Sequence, residues 1–183
     1  MKNAEKQIAN VLAILVAVAC FGASAQLSIN LPEGVAVAPI TGQTLAILVA
    51  AHFLKWKKAA ISVLLYFLLG ALGLPVFSDF SSGLDVFVSP SAGYLAGFLL
   101  AAVLVGRMAE LRKEKFTNYL LSQTFGTLLI LVTGGIGLLL FLPAYEIFAK
   151  GILPFLAGGL VKIILASILI AVYTNVTSLI RNN

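Results

Sequence analysis

The sequence predicts an all-α integral membrane protein, one bundle of six transmembrane helices over residues 1–183 with both termini in the cytoplasm. Three observations predict it. The chain is 61% hydrophobic and only 10% charged, whereas a soluble domain carries about 25% charge. The uncharged intervals, 7–32, 34–54, 59–78, 86–106 and 116–145, with 151–180 broken only by Lys162, can each hold the ~20 apolar residues of a spanning helix. Basic residues collect in alternate connections, where the positive-inside rule expects the cytoplasm.

The first helix is predicted at about 7–26. Lys2 and Lys6, an apolar run and Ala23-Ser24-Ala25 would also fit a secretory signal. A signal core is usually ~7–15 residues, shorter than this run, so the segment is read as a span. Helices follow at about 39–54 and 59–74, separated by Lys55, Lys57 and Lys58, with Trp56 as an interfacial anchor. The next pair, about 91–110 and 117–142, flanks Arg107, Arg112, Lys113 and Lys115. The last helix is predicted at 152–180, before Arg181, and Lys150 alone among the basic residues falls on the opposite side. All six prolines lie at the outward ends or loops, and the outer loops 27–38 and 75–90 are longer and more polar. That face is expected to be shaped structure and the inner face charged tethers.

Enzymatic chemistry finds little material here. His52 is the one histidine and sits beside Lys55, and no His, Asp and Glu group has metal-ligand spacing. Phe80-Ser81-Ser82-Gly83 looks like an intramembrane serine protease motif, but no histidine follows it to act as base. Cys20 is the only cysteine, which excludes an internal disulfide. The excess of twelve Lys and Arg over seven acids is explained by loop placement, so no nucleic-acid partner is expected. No cofactor is expected either.

Lys162 is the outstanding residue. It is the only charge between Lys150 and Arg181, and helical rise puts it ~15–17 Å in from the nearer end. A cation at mid-membrane is costly unless it meets an anion or a polar cavity. One lysine is too little for a proton relay or selectivity ring, so a small-molecule site fits better, with Lys162 anchoring the ligand's polar group and apolar helices burying its body. Ala13 and Ala17, like Ala19 and Ala23, stand four apart on the first helix, a spacing that permits close helix approach in lipid.

Three segments in register resemble the BioY family, the substrate-binding (S) components of biotin transporters of the energy-coupling factor type. They are Pro39-Ile40-Thr41-Gly42-Gln43-Thr44-Leu45-Ala46, Leu65-Tyr66-Phe67-Leu68-Leu69-Gly70-Ala71-Leu72-Gly73-Leu74-Pro75-Val76-Phe77, and Ser89-Pro90-Ser91-Ala92-Gly93-Tyr94-Leu95. The resemblance implies a six-helix S-component bundle in the inner membrane that captures biotin from outside. It also implies docking onto a transmembrane coupling protein driven by two ATPases, with Ala13 and Ala17 as the partner face and loop 27–38 as the ligand's cover. The family motif Gly-Asp-x-x-Lys reads Gly158-Gly159-Leu160-Val161-Lys162 here, so the lysine is kept and the aspartate is Gly159. Tyr94 is kept, and Asp79 stands where the family often has Asn or Gly. Two expectations follow. Lys162, Asp79, Tyr94, Thr41, Gln43 and Gly159 form the ligand site; and either Asp79 supplies the carboxylate missing at Gly159, or Asp79 is a solvated loop charge and Lys162 meets only backbone carbonyls and the ligand. Altered vitamin specificity, or a solitary facilitator working without ATPases, are the alternatives.

Overall fold

The computed structural model describes residues 2–32 and 34–182, so Glu33 in the first outer loop lies outside the described residues. Helix α1 spans Lys2–Ala25. Helix α2, Gln43–Ala71, joins the two helices expected at 39–54 and 59–74 into one element without a loop. Within it Lys55 alone leaves helical geometry, at φ 62° and ψ 169°. A straight helix would hold Gln43 and Tyr66 ~34 Å apart, yet the Gln43 Nε2 donates to the Tyr66 hydroxyl. The chain therefore folds back on itself at Lys55. Helices α3, Ala92–Leu111, and α4, Phe116–Leu138, pack closely side by side, and α3 also packs along α2.

The close approach of α3 to α4 depends on glycine. A Cβ on Gly93 would lie 2.6 Å from the Thr133 carbonyl oxygen and 2.9 Å from the Gly137 Cα, and neither backbone atom can move aside. Small residues of this kind let helices meet in lipid, where no hydrophobic force draws them together.

The end of the chain differs from the expected start at 152. After Pro143 a short helix α5, Ala144–Ile147, runs through a π turn, Phe148–Ile152, into α6, Leu153–Asn182. Lys150, expected in an outer loop, lies inside this helical run and pairs with Glu146 one turn earlier. The π turn has an identifiable cause. Pro154 has no N–H to give the Lys150 carbonyl four residues back, and the Val37 amide of the first outer loop takes that carbonyl instead, at 3.4 Å. In the same turn the Gly151 carbonyl accepts from the Tyr94 hydroxyl, at 2.6 Å.

Four helical stretches, Asn3–Ala25, Ala92–Leu111, Phe116–Leu138 and Ala144–Ile180, are long and apolar enough to cross a bilayer. Neither limb of α2 alone reaches ~20 residues. Exposed side chains such as Leu12, Leu64, Val132 and Leu169 coat the outside of the bundle, as a lipid-facing surface requires. The basic connections meet at one end. Lys58 donates to Asn10 at 3.1 Å, Lys55 to the Ala109 carbonyl at 3.1 Å, and Lys57 and Arg107 lie over the Trp56 ring.

The opposite end carries the loops. A two-residue strand β1, Ser28–Ile29, pairs antiparallel with β2, Ile40–Thr41, in the register Ser28 to Thr41, so loop 27–38 leaves and returns beside the start of α2. Gln26, just past α1, clamps the second outer loop by donating to the Phe77 carbonyl and accepting from the Phe80 amide, each at 3.0 Å.

Candidate ligand-binding site

At the loop end the helices enclose a cavity of about 730 Å³, its open mouth included. The two outer loops supply part of its wall through Ala38, Pro39, Phe77 and Ser78. Apolar side chains dominate the rest, among them Leu95, Phe98, Ile130 and Phe155. Lys162 is the only charged residue in the lining among the described residues. A site of this make-up suits a small molecule with an apolar body and one polar end.

The polar end is built from a chain of hydrogen bonds. The Lys162 ammonium donates to the Thr41 carbonyl at 2.6 Å, where β2 gives way to α2. The Thr41 hydroxyl donates to Gln43 Oε1 at 3.0 Å, Gln43 Nε2 donates to the Tyr66 hydroxyl, and that hydroxyl donates to the Val76 carbonyl at 2.9 Å. Thr41 and Gln43 are buried and Tyr66 is fully so. The reversal at Lys55 makes this chain possible, because it brings Tyr66 back beside Gln43. The network fixes the position of Lys162 but gives it no carboxylate, so its ammonium keeps donor capacity for a ligand acceptor.

Tyr94 enters from the first turn of α3. Its hydroxyl donates to the Gly151 carbonyl in the π turn, and its ring stands 5.5 Å from that of Phe155. Tyr94 lines the cavity with its hydroxyl already engaged by Gly151. Gly159 also lines the cavity, and a Cβ there would make ordinary contact, 3.4 Å, with Thr127 Cγ2. Thr41, Gln43, Tyr94, Gly159 and Lys162 thus meet around one space.

Asp79 is placed elsewhere. Its carboxylate accepts from the Ser28 hydroxyl at 2.8 Å and from Asn30 Nδ2 at 3.3 Å, tying the second outer loop to the first. It does not line the cavity, and it forms no ion pair with Lys162 among the described residues. Its backbone, at φ 55° and ψ 36°, is a left-handed turn that Asp tolerates. The expected pair on the first helix also divides. Ala17 is buried and Ala13 packs against the core, while Ala19 and Ala23 are the exposed small pair.

Sequence reasoning missed Thr127 and Phe155. Thr127 stands one turn after Gln123, but Ser122, Thr124 and Thr133 on the same helix give that spacing little weight as a signal. Phe155 carries no such signal.

The comparisons with known proteins bear on the family and the fold. The family model described as the BioY family matches residues 1–178. This chain belongs to the BioY family. Among its BioY relatives, the biotin transporter of Thermotoga maritima is 36% identical over 142 residues, 77% of this chain and 82% of that one. The probable biotin transporter of Pyrococcus horikoshii is 33% identical over 153 residues, 84% and 87% of the two chains. BioY2, the biotin transporter of Lactococcus lactis, is 34% identical over 136 residues, 73% and 75% of the two. BioY proteins are transporters, not enzymes. The fold matches the crystal structure of an S component for biotin from an ECF-type ABC transporter, with a TM-score of 0.84 over 93% of both chains at 23% identity.

Proposed function

We propose that this chain captures biotin in the cavity at its loop end and delivers it inward as the S component of an energy-coupling factor transporter. The observation that carries the reading is the cavity itself, mainly apolar, with one anchored ammonium, Lys162, as the only charged lining residue among the described residues. Lys162 would hold the ligand's polar group, with Thr41 and Gln43 fixing the lysine, the Tyr94 ring packing on the ligand and Gly159 leaving room beside it. Asp79 would act at one remove, by bracing the loops that cover the mouth. The relatives' names, biotin transporter, supply the ligand.

In this reading both limbs of α2 cross the membrane, giving six spans in the inner membrane with both termini in the cytoplasm. A transmembrane coupling protein and two ATPases would drive delivery. The exposed pair Ala19 and Ala23, rather than Ala13 and Ala17, would offer the small-residue face to such a partner. Co-purification with a coupling protein and ATPases would favour it, and uptake that persists without them would favour a solitary facilitator.

The test is calorimetric titration of the detergent-purified protein with biotin. The expected outcome is saturable binding that Lys162→Ala weakens at least tenfold, ~1.4 kcal/mol. Unchanged affinity would remove Lys162 from the site. A second reading, altered vitamin specificity, rests on Gly159, where the motif it resembles has an acid. A folded protein that ignores biotin and binds another vitamin in the same titration would establish it.

A further inference from the structure

Four buried side-chain polar atoms have no hydrogen-bond partner among the described residues: Thr127 Oγ1, both amide atoms of Gln123, and His52 Nδ1. Of these residues only Thr127 lines the ligand cavity. Its hydroxyl also departs from the others of its kind. The buried hydroxyls of Ser62, Ser122 and Ser167, each inside a helix, donate to a carbonyl three or four residues back, at 2.7–2.9 Å. Such local bonds are the ordinary way a helix in lipid satisfies a hydroxyl. A position that only packs would carry valine, which has the shape of threonine without the cost of burying an unmet polar group.

The surroundings give this hydroxyl a use. Thr127 lies ~16 Å in from the loop end of α4. A Cβ on Gly159 would meet Thr127 Cγ2 at 3.4 Å and nothing else from the surrounding elements within 4 Å. The space over Gly159 is therefore open, with Thr127 as its wall, and Lys162 follows one turn later on the same face of α6. One staggered step about χ1 brings the Thr127 hydroxyl to the place its methyl holds, facing that space. The Lys162 ammonium can only donate, whereas a hydroxyl also accepts. Together they suit a carbonyl flanked by an N–H. The cyclic urea of biotin is such a group. The ionised carboxylate at the molecule's other end costs more to bury and belongs toward the mouth.

We propose that Thr127 is a specificity-determining residue, whose hydroxyl accepts an N–H of the ligand's urea over Gly159 while Lys162 donates to the urea carbonyl. The assignment rests on the biotin reading above and adds the acceptor, supplied from α4, that Gly159 does not provide.

The test is titration of the purified full chain with biotin and with its two lactam analogues, each having one urea N–H replaced by CH2. Thr127→Val is expected to weaken biotin binding at least threefold. Its unfolding temperature in ligand-free detergent should be no lower than the parent's, because an unmet hydroxyl is removed. Thr127→Ser keeps the hydroxyl and is expected to stay within threefold of the parent. One lactam should lose a larger factor on the parent than on Thr127→Val. Biotin binding by Thr127→Val within threefold of the parent overturns the proposal. So does a lower unfolding temperature or a failure to assemble, which would give the hydroxyl a partner inside the protein. A loss in Thr127→Ser equal to that in Thr127→Val would assign the effect to packing, and lactams that lose equal factors on both proteins would separate the N–H from Thr127. Either result also overturns it. A parent that ignores biotin defeats the functional reading and this proposal with it, whereas failure of the proposal alone leaves biotin binding by the parent intact.

Discussion

At the scale of single residues, Lys162 and Asp79 illustrate two uses of a charge. Lys162 is partly buried, and its partner is the Thr41 carbonyl rather than an acid. Gly159 and Asp79 are legible as departures in the sequence, but their spatial relation is not. A loop carboxylate can reach Lys162 or Ser28, and only the fold of the two outer loops decides that it meets Ser28 and Asn30. Asp79→Ala should therefore leave biotin affinity within about threefold, ~0.7 kcal/mol, in titration of the purified protein. A tenfold loss would place Asp79 at the ligand after all. Gln43 predicts the opposite behaviour. It joins Thr41 to Tyr66 inside the protein, so Gln43→Leu leaves a buried hydroxyl without its acceptor, at ~1–3 kcal/mol. The expected readout is a lower unfolding temperature in detergent together with weaker biotin binding. A stable variant with parental affinity would show that the network does not position Lys162.

At the scale of elements, the apolar intervals and the charged connections between them could be read directly, because lipid demands long uncharged helices. The lengths of the connections could not. Lys55, Lys57 and Lys58 correctly mark a reversal, yet the loop expected over 55–58 reduces to the single residue Lys55. Its φ of 62° with ψ of 169° lies in a region that glycine occupies freely and other residues enter at ~1–3 kcal/mol. Lys55→Gly should therefore raise stability by ~1 kcal/mol net, since it also gives up a partly exposed bond to the Ala109 carbonyl. Denaturation in detergent checks this, and a destabilised variant would mean that the lysine's contacts outweigh the strain. The early start of the last helix was hidden for another reason. Proline at 154 announces a missing donor, but the group that takes the Lys150 carbonyl, the Val37 amide, comes from a loop far away in sequence. A break in the helix and a π turn within it look the same until that partner is known. Tyr94 depends on the same turn, so its position was legible only as a motif.

At the scale of the whole molecule, the two ends of the bundle differ in chemistry, and under the proposed function that difference would set the direction of capture. One end ties together Lys55, Lys57, Lys58 and Arg107 around Trp56, with Asn10 and Glu114 beside them. The other end carries the β1–β2 strap, the Asp79 brace and the mouth of the cavity. Short basic loops are retained in the cytoplasm during insertion, so the cavity should open outward and Lys162 should be reached from outside. The spacing of small residues on α1 carried no such directional information, because Ala13/Ala17 and Ala19/Ala23 have the same periodicity and only packing separates the inner pair from the outer. In intact cells with Cys20→Ser as background, Ser81→Cys should react with a membrane-impermeant thiol reagent and Lys113→Cys should not. The reverse pattern would invert the molecule and make the cavity a release site. Protection at both positions would mean that the loop end is covered, and titration of biotin onto those same cells would then tell whether the cover admits the ligand.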